Sequence, residues 1–355
     1  MAASPLSVIV DDSRTDLFVF GPLEWTRTNL PEWFNSTSQS ANFALDPGSQ
    51  LGTVQMKFEG TSVAFFGNTP PGTGASQTFS VSIDGSAPYN TTYGDPNPPT
   101  YRQWYQSPIL EEGTHNIAIS NIAGASVDYA VITPGVDTPL ARTLIIADND
   151  DPGFNYTGRW RRSQEPFNSG PQPDGNPYHN TTHQTTYVGD FFTYRFSGSS
   201  AAIYGIFTWS NIGLIELEFT LDGQSLSQTY RVSPNSPQFI SELGQQQNFL
   251  FYSYDVLPAG DHTLTVNLTA CENQTFEFDY VTYAPSFATL GTMPNLVNSS
   301  STIDMQQAMS KNGHLGIIAA AIGGSIIVLL LGIILFMWRR RAKSKRPFDF
   351  GECLP

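Results

Sequence analysis

The strongest constraint on how this chain folds is an internal duplication. Val8-Ile9-Val10-Asp11-Asp12 recurs as Ile145-Ile146-Ala147-Asp148-Asn149, and Trp25 has a counterpart in Trp160. The stretch from Lys57 to Gly67 matches Arg195 to Gly205, and Phe79 to Gly85 matches Glu218 to Gly223 with one apolar position displaced. Gly113 to Ile119 matches Gly260 to Val266, and Val127-Asp128-Tyr129 matches Phe278-Asp279-Tyr280. Matches that keep one order describe a repeated unit of about 135–150 residues, an ordinary domain size.

Each matched block reads as a strand. Apolar and polar residues alternate in Ile117 to Ser120 and in Thr263 to Leu268, the period of a half-buried strand. Asp84-Gly85 and Asp222-Gly223 are hairpin turns, where glycine supplies a positive φ. Only 14% of residues are charged while 13% are aromatic, which suits short strands and turns and excludes a disordered chain. The expectation is a mainly β protein with two tandem antiparallel β-sandwich domains, residues 1–137 and 138–288. Residues 289–314 read as a polar stalk.

Leu315 to Trp338 is a run of apolar and small residues without a charge. As a helix it spans about 36 Å, enough to cross a bilayer with some tilt. Directly after it stand Arg339, Arg340, Arg341, Lys343, Lys345 and Arg346, a basic anchor that marks the cytoplasmic end. The tail 339–355 is net +4, which leaves −18 of the chain's −14 on the other side; such an acidic part excludes nucleic acid as a partner. Glycosylation sequons at Asn35, Asn90, Asn155, Asn180, Asn267, Asn273 and Asn298 all precede the helix. The expected product is a type I, single-pass plasma-membrane glycoprotein with its bulk extracellular. One feature opposes this: Met1 to Asp12 lacks the basic and apolar segments of a signal peptide, so the natural start is expected upstream. Cys271 and Cys353 flank the helix, so no disulfide joins them.

The order of motifs in the second repeat carries a resemblance: Gly158-Arg159-Trp160, Gly175-Asn176-Pro177-Tyr178-His179-Asn180-Thr181-Thr182-His183, Phe196 to Gly205, Leu221-Asp222-Gly223, Leu257 to Leu264 and Phe278-Asp279-Tyr280. With the helix and basic tail, this resembles single-pass transmembrane surface proteins of mushroom-type fungi that carry tandem galactose-binding-like jelly-roll repeats. The first repeat departs from the pattern: Glu24-Trp25 stands for Gly-x-Trp, and the Asn-Thr-Thr-His block is missing. The resemblance implies a fold and a location rather than a ligand.

The candidate ligand-binding residues are Trp160, Asn176, Tyr178, His179 and Trp209, since aromatic faces pack on sugar rings and amides bond hydroxyls. Trp25 and Trp160 equally suit a shared core role. The long loop Pro171 to His183, specific to the second repeat, is the preferred binding surface. Asp148, Asp150 and Asp151 lack the spacing of a calcium loop and read as a turn, so no metal and no cofactor is expected. His115 and His262, at equivalent strand starts, have no metal-type partner spacing. Glu165, Glu216 and Glu218 are the carboxylates a glycosidase would need, but no catalytic motif occurs and no enzyme is expected. Ala319-Gly323 and Ala320-Gly324 give small-xxx-small spacing for a helix homodimer. The functional expectation is binding of glycan or cell-wall polymer. The alternatives are a self-associating structural protein and, further off, a carbohydrate-active enzyme.

Overall fold

The computed structural model describes residues 6–21, 25–43, 50–72 and 77–296. The first repeat contains β1 (Ser7–Asp11), β2 (Phe18–Phe20), β3 (Trp25–Thr28), β4 (Ser38–Ala41), β5 (Gly52–Gly60), β6 (Ser62–Asn68), β7 (Thr78–Ile83), β8 (Tyr89–Thr92), β9 (Tyr101–Gln106), β10 (Gly113–Ile122), β11 (Ser126–Val127) and β12 (Tyr129–Thr133). The second contains β13 (Leu144–Asp148), β14 (Asn155–Thr157), β15 (Arg161–Ser163), β16 (Thr182–Thr185), β17 (Phe191–Gly198), β18 (Ala201–Thr208), β19 (Gly213–Leu221), β20 (Gln224–Val232), β21 (Gln245–Tyr254), β22 (Gly260–Glu272) and β23 (Phe276–Tyr283). The fold is mainly β, and every strand pairing is antiparallel.

The duplication is legible strand by strand. One five-stranded sheet runs β2-β5-β10-β7-β8 and its counterpart β14-β17-β22-β19-β20. In β5 every second residue is buried, so Val54, Met56 and Phe58 enter the core while Gln55, Lys57 and Glu59 face out. In β19 the same alternation leaves Glu216 and Glu218 on the outer face of the strand. The Asp-Gly turns have positive φ at both residues, 52° and 70° in Asp84-Gly85 and 50° and 81° in Asp222-Gly223.

The two repeats share a third, ten-stranded sheet. Its join is β1 against β13, with Val8 directly opposite Ile145, its own counterpart in the duplication. A local two-fold axis therefore passes between these two residues. Strands around the axis are buried on both faces. Val8 and Val10 point into one core cluster, and Ile9 points into another formed with Phe34, Phe66, Tyr129, Ile146, Tyr178, Tyr204 and Tyr280. Double burial explains why Val8-Ile9-Val10 reads as an unbroken apolar run, and it leaves all eight residues of β23 buried, Glu277 and Asp279 included.

A short 3₁₀ turn from each repeat covers the second face: Phe34–Ser36 and Tyr178–Asn180, with φ of 48° at Asn35 and 51° at His179. The Phe34 amide donates to Asp128 at 2.9 Å and the Tyr178 amide to Asp279 at 3.2 Å. Tyr178-His179-Asn180 thus has a structural counterpart in Phe34-Asn35-Ser36, and the block missing from the first repeat falls at Ser36 to Gln39. Asp128 and Asp279 are both buried, which pushes each carboxyl well above its ordinary range. Across the axis, Asn248 donates to Asp128 at 3.2 Å and to the Tyr101 hydroxyl at 3.0 Å, and accepts from Tyr280 at 2.9 Å.

Two duplicated devices hold each sandwich. His115 bridges Asp84 at 2.7 Å and the Glu111 carbonyl at 2.8 Å; His262 bridges Asp222 at 2.6 Å and the Pro258 carbonyl at 2.8 Å. Burial opposes charge on both rings, but the bonds to Asp84 and Asp222 and to the carbonyls outweigh it and raise both above the ordinary 6.5. Raised folded values give stability that is complete below the unfolded value and is lost as pH rises through the folded ones. His183 has the opposite sign, since burial lowers it. The double variant His115→Gln/His262→Gln is therefore expected to lose the part of the pH dependence that falls between the ordinary histidine value and the raised ones. Unfolding free energies of both proteins, measured across that window, check it.

The second device is a glycine at a crossing. A Cβ on Gly205 would lie 2.0 Å from the Glu277 carbonyl oxygen, and one on its counterpart Gly67 would lie 2.3 Å from that of Ser126. Gly205→Ala is expected to destabilise by about 2–4 kcal/mol, because backbone must move to relieve the overlap. Denaturant unfolding measures this.

After β23 the chain turns back. Leu140 donates its amide to Ala288 at 2.9 Å and Gly291 donates to Val136 at 2.9 Å, so the start of the predicted stalk packs on the inter-repeat linker. Among the described residues no helix is long and apolar enough to cross a membrane. The predicted helix Leu315–Trp338, the basic anchor Arg339 to Arg346 and Asn298 lie outside the described residues.

Candidate functional site

The predicted ligand residues do not converge. Tyr178 is 3% exposed within the core around the axis, so it offers no face to a sugar; its aromatic ring fills the turn that covers the sheet. Trp160 is half-buried and packs on Phe276 and Tyr156, with its indole N–H donated to the Thr157 and Phe191 carbonyls at 3.2 Å. Trp25 donates to the Thr53 carbonyl at 2.8 Å, the position equivalent to Phe191. The matched tryptophans share a packing role. Asn176 is tied by its amide to the Tyr101 carbonyl at 2.9 Å, and the Tyr101 amide bonds Asp174. The loop Pro171 to His183 is thereby strapped onto β9 of the first repeat. His179 is exposed and stacks on Tyr178 at 4.0 Å. Trp209 is half-buried against Phe207 and donates to Gln246 at 2.8 Å.

The acidic turn is self-bonded. Asp150 is gripped by the Arg162 guanidinium at 2.6–2.9 Å, which holds its carboxyl below the usual range. Asp151 accepts the Gly153 amide at 2.7 Å. Among the described residues no group of side chains is arranged to hold a metal ion. Asn35, Asn90, Asn155, Asn180 and Asn273 are exposed, and Asn267 is half-buried on β22.

What the structure brings together is a row that sequence reasoning missed. On the edge of the shared sheet in the second repeat, Arg161 of β15 pairs with Gln184 of β16, and Gln184 pairs with Glu277 of β23. Residues directly opposite on adjacent strands point to one face. Arg161 donates to the Gln184 carbonyl oxygen at 2.5 Å, and the Gln184 amide nitrogen donates to Glu277 at 2.7 Å. Thr182 adds a bond to Glu277 at 2.9 Å and Gln245 one at 3.5 Å. Glu277 is only 5% exposed. Burial pushes its carboxyl up, while the bonds from Gln184 and Thr182 pull the other way. The row forms one wall of a cleft of about 560 Å³, closed by Glu165, Asn168, Asn211 and Glu242. That volume is ordinary for a small-molecule site.

The same row exists in the first repeat without the chemistry. Thr26 pairs with Ser40 and Ser40 with Ser126, so small hydroxyls occupy the positions of Arg161, Gln184 and Glu277. A legible clue was the carboxylate inside the otherwise aromatic Phe276-Glu277-Phe278. Of the predicted carboxylates, Glu165 lines the cleft, whereas Glu216 and Glu218 sit on a different sheet.

No protein-family model and no curated sequence matches the chain. Among solved structures it is similar to a Paenibacillus xanthan lyase, with 12% identity and a TM-score of 0.27 over 80% of this chain and 27% of that one. It is also similar to a family two carbohydrate esterase from Cellvibrio japonicus, with 12% identity and a TM-score of 0.27 over 43% of this chain and 36% of the other. A third is the catalytic domain of a GH87 α-1,3-glucanase in complex with nigerose, with 14% identity and a TM-score of 0.27 over 44% and 30%. The chain thus spans well under half the length of each. These likenesses are distant, and the reading of the cleft rests on its own residues.

Proposed function

We propose that this is a non-catalytic glycan-binding surface protein, built on galactose-binding-like jelly-roll repeats, whose second repeat takes the ligand in the cleft walled by Arg161, Gln184 and Glu277. The observation that carries the reading is the divergence of one row within a duplicated fold. Where the first repeat keeps Thr26, Ser40 and Ser126, the second holds a cation, an amide and a nearly buried carboxylate in one hydrogen-bonded line. Such a line offers donors and acceptors at fixed spacing, which suits the hydroxyls of a sugar ring. Glu277 is already oriented by Thr182 and Gln184, so binding loses little side-chain freedom.

The sequence supports presentation outside the cell on the helix Leu315–Trp338, with the basic tail within. The test of ligand class is a glycan array probed with the purified full-length chain in detergent. Binding that is lost in Arg161→Ala and retained in Thr26→Ala supports the cleft; binding indifferent to both places the ligand elsewhere. Glycosidase treatment of the expressed protein should increase its mobility on a gel, and an unchanged band would reverse the orientation.

A further inference from the structure

We propose a second, separate binding site in the first repeat, which takes a small organic anion with an apolar body, such as a medium-chain carboxylate. The cavity lies between β1 and the linker 138–143 and measures about 310 Å³. Its walls include Val8, Val10, Leu17, Phe58 and Ile132. The second repeat shows what a filled version looks like. There the residue equivalent to Ile132 is Tyr283, 2% exposed, whose ring lies 5.3 Å from that of Phe196, the counterpart of Phe58. In the first repeat the smaller isoleucine stands at that place, and the cavity opens beside it. The pocket is therefore a difference between two copies of one sandwich.

Its charges choose the ligand. Lys57 and Arg142 line the cavity, and neither side chain has a hydrogen bond or ion pair among the described residues. Of the acids that also line it, Asp16 is neutralised by Arg14 through bonds of 2.8 and 2.7 Å. Glu59 accepts the Thr114 hydroxyl at 3.4 Å. Among the residues that line it, two unpaired cations thus stand against one carboxylate, on a chain that is −14 overall. An apolar floor together with two unpaired cations matches a molecule with a hydrocarbon body and an anionic head. The linker wall is also pre-formed: Glu112 accepts the Asp137 amide at 2.8 Å and the Thr138 hydroxyl at 2.9 Å, so little ordering is required on binding.

The test titrates the full-length chain with octanoate, octan-1-ol and octylammonium, followed by calorimetry and by NMR of the ligand in a detergent-free nanodisc. Saturable binding of one octanoate, about tenfold tighter than the alcohol, is expected, and that ratio corresponds to 1.4 kcal/mol. Lys57→Glu/Arg142→Glu should remove the preference for the anion. Ile132→Tyr, which installs the second repeat's residue, should abolish binding of both. Equal affinity for the alcohol and the anion, or octanoate binding that survives Lys57→Glu/Arg142→Glu, overturns the proposal. Lys57 and Arg142 are exposed, so the double variant tests it even where Ile132→Tyr does not fold.

Discussion

Asn248→Leu should destabilise the protein by about 4 kcal/mol, and both repeats should unfold together in a single transition. Asn248 is 5% exposed and lies on β21 of the second repeat. Its amide nitrogen bonds Asp128 and Tyr101 of the first repeat and the Glu32 carbonyl at 3.1 Å, and its oxygen accepts from Tyr280. Leucine has nearly the same shape but leaves the Tyr280 hydroxyl and the Glu32 carbonyl without this partner and strips one donor from Asp128. Each abandoned buried group costs about 1–3 kcal/mol, and the φ of 51° at this position adds about 1–2 kcal/mol for a branched side chain. The single transition follows from β1 pairing with β13 inside one sheet and from a core that mixes Ile9, Phe34 and Phe66 with Ile146, Tyr178 and Tyr280. Denaturant unfolding with far-ultraviolet dichroism and tyrosine fluorescence measures both. A loss under about 1 kcal/mol would show that the bonds across the axis are dispensable, and two separate transitions would show that the sheet does not couple the repeats.

Glu277→Ala is expected to weaken glycan binding by about ten- to a hundredfold while the protein remains folded. A hydrogen bond to a charged group contributes about 1.5–3 kcal/mol, which converts to that range of affinity. The carboxylate also orients Gln184, and through it Arg161, so its loss frees the whole row. Removing it releases the donors of Thr182 and Gln184 beside an open cleft, where water takes over their bonds. Ser126→Ala, at the equivalent position of the first repeat, should leave binding unchanged. Titration of both variants with a glycan identified on the array gives the comparison; equal losses in the two would mean that the row in the second repeat has no special part.

The repeated blocks made the strands and turns legible because each depends on neighbours close in sequence. Alternation in β10 and β22, the Asp-Gly turns and the shared packing of Trp25 and Trp160 all appear where pattern placed them. The loop Pro171 to His183 was legible as a loop but not as a strap, since its partner Tyr101 lies in the other repeat. Aromatic character pointed to Tyr178 as a ligand platform; a buried aspartate captured its amide and drew the ring inside instead.

By itself the sequence determined the duplication, the antiparallel strands and their hairpins, because periodicity and turn chemistry are local. It also determined the charge-free run Leu315–Trp338 with its basic flank. Only the tertiary structure decided that Val8 faces Ile145, and that two copies fuse through one sheet and bury Asn248 between them. Likewise, Arg161, Gln184 and Glu277 are separated by 23 and 93 positions along the chain and become neighbours only through strand register. Register is set by which faces are buried, and that depends on the whole fold rather than on any one segment.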